Sequence, residues 1–213
     1  MLKFLLPRRE GTGTATSKGF SLIELITVVV IVGILAAIVS PSYISFLNTM
    51  RMNNAQSRVF SSIKKAQSEA RKLKRPHRMY IRVSPTTNRI QTAILPMSDA
   101  GTFRTDIDNG NIDNLSWEDI PDSSDLWVGT TQASDIHSKG SQRYICIGFN
   151  GDGTIHLGVG CINLHNRFII IKPQRSGSKK VRCIRISTIL GSISMFREGE
   201  ADGCKDPGEA NTL

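Results

Sequence analysis

The chain has 213 residues and a formal net charge of +9, with 27 Lys and Arg against 18 Asp and Glu. Residues 77–213 are enough for one hydrophobic core but not for two, which excludes two large globular domains. The sequence contains no Gly-x-Gly-x-x-Gly, no phosphate loop and no Gly-x-Ser-x-Gly, so nothing in it suggests an enzyme.

The first predicted element is an apolar helix that begins at Phe20. Between Phe20 and Val39 the only charged residue is Glu24. Twenty helical residues span roughly 30 Å, the thickness of the hydrocarbon core of a bilayer. The segment lacks the polar stripe of a surface helix. We therefore predict a membrane-spanning helix over residues 20–40 rather than a buried core helix.

Residues 1–19 precede this helix and are predicted to be a cleaved leader. They carry more bases than acids, namely Lys3, Arg8, Arg9 and Lys18 against Glu10. Such a charge bias keeps this end in the cytoplasm and the rest of the chain outside. An ordinary secretory signal has a shorter apolar stretch, with the small residues of its cleavage site after it. Here the small residue, Gly19, comes before the apolar segment, so cleavage between Gly19 and Phe20 would leave that segment on the mature chain.

The stretch Lys18-Gly19-Phe20-Ser21-Leu22-Ile23-Glu24-Leu25 resembles the processing site of prepilins, which include type IV pilins and the pseudopilins of type II secretion. The resemblance implies that a prepilin peptidase cuts after Gly19 and methylates the new amine of Phe20. It implies a single-pass protein in the lipid of the bacterial inner membrane, with the head outside. It also implies assembly with other pilin or pseudopilin subunits, at an inner-membrane assembly platform, into a pilus or pseudopilus.

Glu24 is expected to serve assembly. A carboxylate inside a bilayer costs at least roughly 2.5 kcal/mol and usually marks function. Cleavage would create a positive amine on Phe20, about one helical turn away. In the family that the segment resembles, this glutamate is understood to pair with the amine of a neighbouring subunit. The alternative is an acid that is tolerated near the membrane edge.

The helix is expected to continue through Pro41, absorbed as a kink, over residues 41–75, until Pro76 stops it. Apolar residues recur mostly at spacings of three or four, which predicts one buried stripe: Ile44, Leu47, Ala55, Val59, Ile63, Ala66, Ala70 and Leu73. A sheet packed on that face would cover the stripe. The other faces are basic and are expected to be solvated.

From His77 the apolar period changes to two, which predicts strands. Residues 77–83 and 89–95 should form a hairpin around the turn residues 84–88. Residues 99–125 are acidic and predict a long surface loop. Further strands are predicted at 126–131, 143–150, 154–159, 167–172, 181–187 and 192–196. These parts predict an α+β protein, with a long helix laid against an antiparallel sheet and residues 76–213 as the head.

The head resembles the minor pilin group GspH/FimT. The resemblance is carried by AQSEARKLKRP at 66–76, FNGDGT at 149–154 and RCIRISTILGSISM at 182–195. It implies the pilin fold and a subunit that primes or caps a filament for secretion, adhesion, motility or DNA uptake. Some relatives in DNA uptake carry Gly-Arg-x-Arg near the end, where this chain has Gly191-Ser192-Ile193-Ser194.

All four cysteines lie in the part expected to be exported, where an oxidising compartment favours disulfides. Three pairings are possible. We expect Cys146 to pair with Cys161, because they flank the turn at 151–153. Cys183 would then pair with Cys204 and hold down a polar tail.

DNA binding is the alternative function. Between Thr154 and Phe196 there are seven bases and no acid: Arg167, Lys172, Arg175, Lys179, Lys180, Arg182 and Arg185. Such a patch could bind phosphates, with Lys179, Lys180 and Arg182 as the candidate ligands. The other readings are a solvated basic loop or contact with an acidic neighbouring subunit.

No metal or cofactor is predicted. Cys161 and His165 have a ligand-like spacing, with Cys146 and His156 as further candidates, but disulfides account better for the cysteines. Residues 106–113 partly match a calcium loop, yet their glycine comes one position early and no glutamate stands at the twelfth place, so an acidic loop is the favoured interpretation.

Overall fold

The computed structural model of the chain describes residues 19–97, 112, 115–139, 142–156, 161, 167–174, 180–187, 190–201, 204–205 and 212–213, without the side chains of 38–42 and 139. The chain divides into two compact units, residues 1–44 and 45–213.

Helix α1 runs over Leu22–Leu73 and passes Pro41 without ending, as the sequence predicts. Its last turn closes where Arg75 N–H donates to the carbonyl oxygen of Ala70 at 3.3 Å and Lys74 adopts a φ of 52°. The left-handed conformation of Lys74 turns the chain out of the helix and lets Arg75 N–H satisfy a terminal carbonyl. Pro76 follows directly and cannot continue it.

The buried face of α1 within residues 45–73 follows the predicted stripe in its middle. Ala55, Val59, Ile63, Ala66 and Ala70 are fully buried, and Met52, which the pattern missed, joins them. The prediction of burial is wrong at both ends of the stripe, because Ile44 is 58% exposed and Leu73 is 54% exposed. Leu73 is the last helical residue, where the chain already turns away.

Nine strands lie within the described residues: β1 His77–Val83, β2 Ile90–Pro96, β3 Glu118–Asp119, β4 Leu126–Thr130, β5 Ile136–Lys139, β6 Gln142–Phe149, β7 Arg167–Pro173, β8 Arg182–Ile186 and β9 Ile193–Arg197. The β1–β2 hairpin is confirmed. It is closed by Ser84 N–H donating to the carbonyl oxygen of Arg89 at 2.8 Å, with Asn88 at a φ of 52°.

The strands form two antiparallel sheets rather than the single sheet expected. The five-stranded sheet has the order β3-β2-β1-β6-β5, and the four-stranded sheet has the order β4-β7-β8-β9. The separation arises because β4 pairs with β7 and not with the first hairpin. The α+β class, with a long helix packed on antiparallel sheets, is confirmed.

One main core joins α1 to both sheets. Alternate strand residues face the helix, including Met79 and Ile81 in β1 and Ile169 and Ile171 in β7. Full burial of each such side chain contributes about 1.5–3 kcal/mol relative to exposure, so this shared core fixes residues 45–73 of α1 and the two sheets as one unit.

Each sheet buries a smaller cluster on its other face, and each cluster contains a cysteine pair. Cys146 is bonded to Cys161 beside Tyr80 and Tyr144. Cys183 is bonded to Cys204 beside Phe168, Ile170 and Val181. These are the pairs expected from the sequence.

The structure differs from the predicted elements in three places. The acidic stretch 99–125 contains β3, while residues 98–111, 113 and 114 lie outside the described residues. The polar strand β5 and the short 3₁₀ helix Ala133–Asp135 were not predicted. In the predicted strand 154–159, Ile155 makes an isolated bridge to Phe149, and residues 157–159 lie outside the description.

Candidate processing and assembly site

The predicted scissile bond lies directly before α1, in residues without regular secondary structure. Gly19 has no atom within 4 Å of the position that a Cβ would occupy. Phe20 is 81% exposed. The fold of the described residues therefore gives no steric reason for a glycine at position 19. A glycine there fits a requirement that comes from outside the chain, such as the pocket of a peptidase.

Ser21 is the N-cap of α1. Its carbonyl oxygen accepts from Leu25 N–H at 3.2 Å, and its Oγ accepts from Glu24 N–H at 3.3 Å. Ser21-Leu22-Ile23-Glu24 thus has the Ser-x-x-Glu spacing of a capping box. This signal is present in the sequence, where Ser21 also belongs to the predicted processing motif.

Glu24 lies exposed in the first turn of α1. A carboxylate at this end of a helix interacts favourably with the helix dipole, typically by about 0.3–1 kcal/mol at the surface. Glu24 therefore has a local role in the helix in addition to any role between subunits.

The apolar part of α1 offers no buried face of its own. Leu22, Ile23, Leu25 and Val29 are between 62% and 76% exposed. Thr27 satisfies its hydroxyl internally, donating to the carbonyl oxygen of Ile23 at 2.8 Å. An apolar surface of this extent marks contact with lipid or with other proteins.

No helix among the described residues has both the length and the apolarity needed to span a membrane. The predicted span 20–40 includes the side chains of 38–40, which lie outside the description, and it stays a prediction.

The candidate phosphate ligands are not brought together. Arg182 is buried, and its Nε donates to Asn53 Oδ1 at 2.7 Å while its guanidinium also donates to the carbonyl oxygen of Val181 at 3.1 Å. Burial lowers the pKa of Arg182. Lys180 is exposed, and Lys179 lies outside the described residues. Arg182 is thus not a surface residue, and no contact of the described residues favours DNA binding.

Two further bases of the predicted patch are also engaged inside the head. Arg167 is buried, with its Nε 3.6 Å from Asp135 Oδ2. Lys172 is buried with its Nζ 5.0 Å from the centre of the Trp127 ring. The run of bases in the sequence is therefore not a continuous surface patch.

The candidate metal ligands are separated or otherwise used. Cys146 and Cys161 are bonded to each other. His156 Nδ1 lies 2.6 Å from Asn150 Oδ1, and burial lowers the pKa of His156, with the Arg78 charge as a second cause. His165 and all of the calcium-like stretch except Ile112 lie outside the description. Within the described ranges no group of His, Cys, Asp or Glu could hold a metal ion.

Two buried glutamines hold α1 to the sheets, and sequence reasoning missed both. Gln56 Nε2 donates to the carbonyl oxygens of Cys183 at 2.8 Å and Phe196 at 3.0 Å. Gln67 Nε2 donates to the carbonyl oxygens of Gly153 and Gly191, both at 2.9 Å. Buried amides with two partners each are typical of satisfied polar groups that fix a packing register. Their only signal in the sequence is a polar residue within the buried stripe.

A family model for the prokaryotic N-terminal methylation motif matches residues 15–40. No curated protein and no solved structure matches the chain. The match confirms the prepilin-type leader and supports a type IV pilin-like or pseudopilin-like exported subunit. A leader of this type implies processing by a prepilin peptidase and assembly with other pilins, and it suggests anchoring in the inner membrane before assembly.

Proposed function

We propose that this protein is a minor pilin or pseudopilin of the GspH/FimT kind that primes or caps a type IV pilus or a type II secretion pseudopilus. It is cut between Gly19 and Phe20, and its new terminal amine is methylated. The observation that carries the proposal is the N-terminal methylation motif at residues 15–40, with Glu24 exposed in the first helical turn.

The surroundings of Gly19 and Phe20 support the cleavage step. The bond lies outside α1, so a peptidase can bind it without unwinding a helix. Gly19 has open space around it, so its small size serves recognition rather than packing.

The first turn of α1 supports the assembly step. After cleavage the amine of Phe20 stands next to the N-cap, where the helix dipole disfavours a positive charge. A carboxylate close to that amine offsets the penalty, and the offset is largest where water is excluded. Pairing of Glu24 with the amine of a neighbouring subunit would remove two unpaired charges from a lipid-like environment at once.

The proposed role is structural and includes no reaction of its own. The chain starts as a single-pass inner-membrane protein with its N-terminus in the cytoplasm and its head outside. The exposed apolar part of α1 then exchanges lipid for other helices during assembly.

The test is the mass of the membrane-bound protein. Wild type should lack residues 1–19 and carry one extra methyl group on Phe20. Gly19→Val should retain the leader, because a side chain next to the scissile bond blocks recognition. Gly33→Val is the matched control, since Gly33 also has no atom within 4 Å of its missing Cβ and lies in the same segment. An intact leader on wild-type protein would refute the proposal.

A further inference from the structure

Within the residues that the structure describes, the two sheets have four edge strands, and three of them are short or covered. β3 has two residues, both acidic, and β5 has four residues and ends in Lys139. The edge of β4 is paired with the end of the chain, because Thr212 bridges Gly129 and Leu213 N–H donates to the carbonyl oxygen of Val128 at 2.8 Å. Short strands, charges and cover are the usual protection of a sheet edge.

β9 has this protection only at its last residue, Arg197. Its residues from Ile193 to Phe196 carry no charge and no proline. Beyond α1, the large hydrophobic side chains most exposed among the described residues are Leu190, at 73%, and Met195, at 46%, and both belong to β9 or the turn before it.

The register of β8 and β9 shows which backbone groups point outward. Ser187 N–H donates to the carbonyl oxygen of Ser192 at 2.9 Å, and the same ladder sets Cys183 opposite Phe196. In an antiparallel pair, hydrogen-bonded and non-hydrogen-bonded positions alternate. The N–H and C=O groups of Ser194 and Phe196 therefore face β8, and those of Ile193, Met195 and Arg197 face away from it.

The outward groups at one end of β9 are already satisfied. Arg197 N–H donates to Glu200 Oε2 at 2.6 Å, and Glu200 N–H donates to the carbonyl oxygen of Arg197 at 3.1 Å. The outward backbone N–H and C=O groups of Ile193 and Met195 are different, because no strand within the described ranges pairs with them. They form a short ladder of alternating donors and acceptors, which an extended chain matches.

We propose that the outer edge of β9 docks an extended, uncharged segment of a different pilin-like subunit, which adds as a fifth strand beside Ile193 and Met195. The segment hydrogen-bonds to both residues and sets an apolar side chain against Met195. This inference rests on the proposed function, since the prepilin-type leader is what implies partner subunits.

A second copy of this chain does not fit the edge. Antiparallel pairing of two β9 strands would set residues 45–73 of α1 in opposite directions in the two copies, whereas copies assembled in one filament share one direction. Parallel pairing in register would set like backbone groups against each other. The other described edges of a second copy are short, charged or covered.

The experiment uses the full-length protein in the bacterium that produces it. Met195→Pro removes the outward N–H without touching the ladder to β8, because that N–H faces away from β8. Met195→Lys places a charge on the edge, and Met195→Leu is the matched control. We expect all three variants to be cleaved and membrane-bound. Met195→Pro and Met195→Lys should be depleted about tenfold from the sheared filament fraction, and Met195→Leu should match wild type.

A photo-crosslinking residue at position 195 of the full-length chain identifies the occupant. An adduct with another protein that carries a prepilin-type leader supports the inference. An adduct with this chain itself, or no adduct, overturns it. Equal incorporation of Met195→Pro and wild type also overturns it while leaving the proposed function intact. If wild-type protein is not cleaved after Gly19, both the proposed function and this inference are refuted.

Discussion

At the scale of single residues, the first turn of α1 combines a capping role and a charge that substitution can separate. Ser21 Oγ accepts from Glu24 N–H, and this bond involves only the backbone of Glu24. A glutamine at the third helical position completes a capping box as well as a glutamate does. The carboxylate charge is therefore the only property of Glu24 that a glutamine would not reproduce.

Glu24→Gln should therefore leave a protein that is cleaved and membrane-bound but depleted from sheared filaments, because it cannot pair with the amine of Phe20. Ser21→Ala should weaken the helix end by about 0.5–2 kcal/mol and still be incorporated. Immunoblots of sheared and membrane fractions measure both. Equal incorporation of Glu24→Gln and wild type would show that the charge is incidental and that Glu24 serves only the helix end.

At the scale of elements, the contact between α1 and the turns of the head depends on glycines. Gly191 has a φ of +76°, and a Cβ there would overlap Gln67 Nε2 and lie 2.7 Å from the carbonyl oxygen of Gly153. Gly199 has a φ of +78°, but nothing lies within 4 Å of its missing Cβ. The two positions share a backbone strain and differ in their contact with the helix.

Gly199→Ala should lower the free energy of unfolding by about 1 kcal/mol, through the positive φ alone. Gly191→Ala should cost about 1–3 kcal/mol more, because it displaces Gln67 and leaves buried carbonyls without a donor. Chemical denaturation of the purified full-length protein in detergent compares the two. Equal losses would mean that the amide of Gln67 contributes nothing to stability.

The elements that the sequence predicts correctly are those with a local signal. α1, the β1–β2 hairpin and the strands of the core carry a clear period of 3.6 or two, and burial of Ile81 or Ile169 follows from it. β3 and β5 carry no such period, because they are short, polar edge strands held only by their neighbours. The two-sheet arrangement depends on which strands pair across long separations, and no local pattern encodes that choice.

The residues of the candidate site and of the helix–sheet contact also divide into those with a local sequence signal and those without one. Gly19, Phe20 and Glu24 stand within one short motif, so the sequence alone is enough to predict them as processing and assembly residues. Gln56 and Gln67 act on carbonyls that are 86 to 140 residues away along the chain, and their role is visible only once the sheets are in place. Arg182 shows the opposite error, since a basic run predicts an exposed base, whereas Arg182 is buried and donates to Asn53 of α1.

At the scale of the whole molecule, the two disulfides tie Cys161 and Cys204, which lie outside the strands, to the two sheets. The Cys183–Cys204 bond closes a separation of 21 residues and fixes the tail to β8. The Cys146–Cys161 bond closes a separation of 15 residues beside β6. Both lie in clusters outside the main core, so the core itself does not contain them.

The double substitution Cys183→Ser with Cys204→Ser should lower the free energy of unfolding by about 3 kcal/mol, because it frees a loop of this length in the unfolded chain. The same double change at Cys146 and Cys161 should cost a similar amount. Denaturation midpoints of oxidised protein measure both, and a reducing agent should lower the midpoint of wild type towards them. An unchanged midpoint after either double change would contradict the structural role of that bond.

The glutamine contacts of α1 also determine how the head would respond to mechanical tension. Gln56 and Gln67 stand eleven residues apart on α1, roughly 16 Å along its axis, and together they donate to four strand or turn carbonyls. Both amides belong to the same rigid helix, so a force along the helix axis acts on all four hydrogen bonds together rather than on one after another. The head would therefore resist sliding of the helix along the sheets, and the four hydrogen bonds would break in a single step.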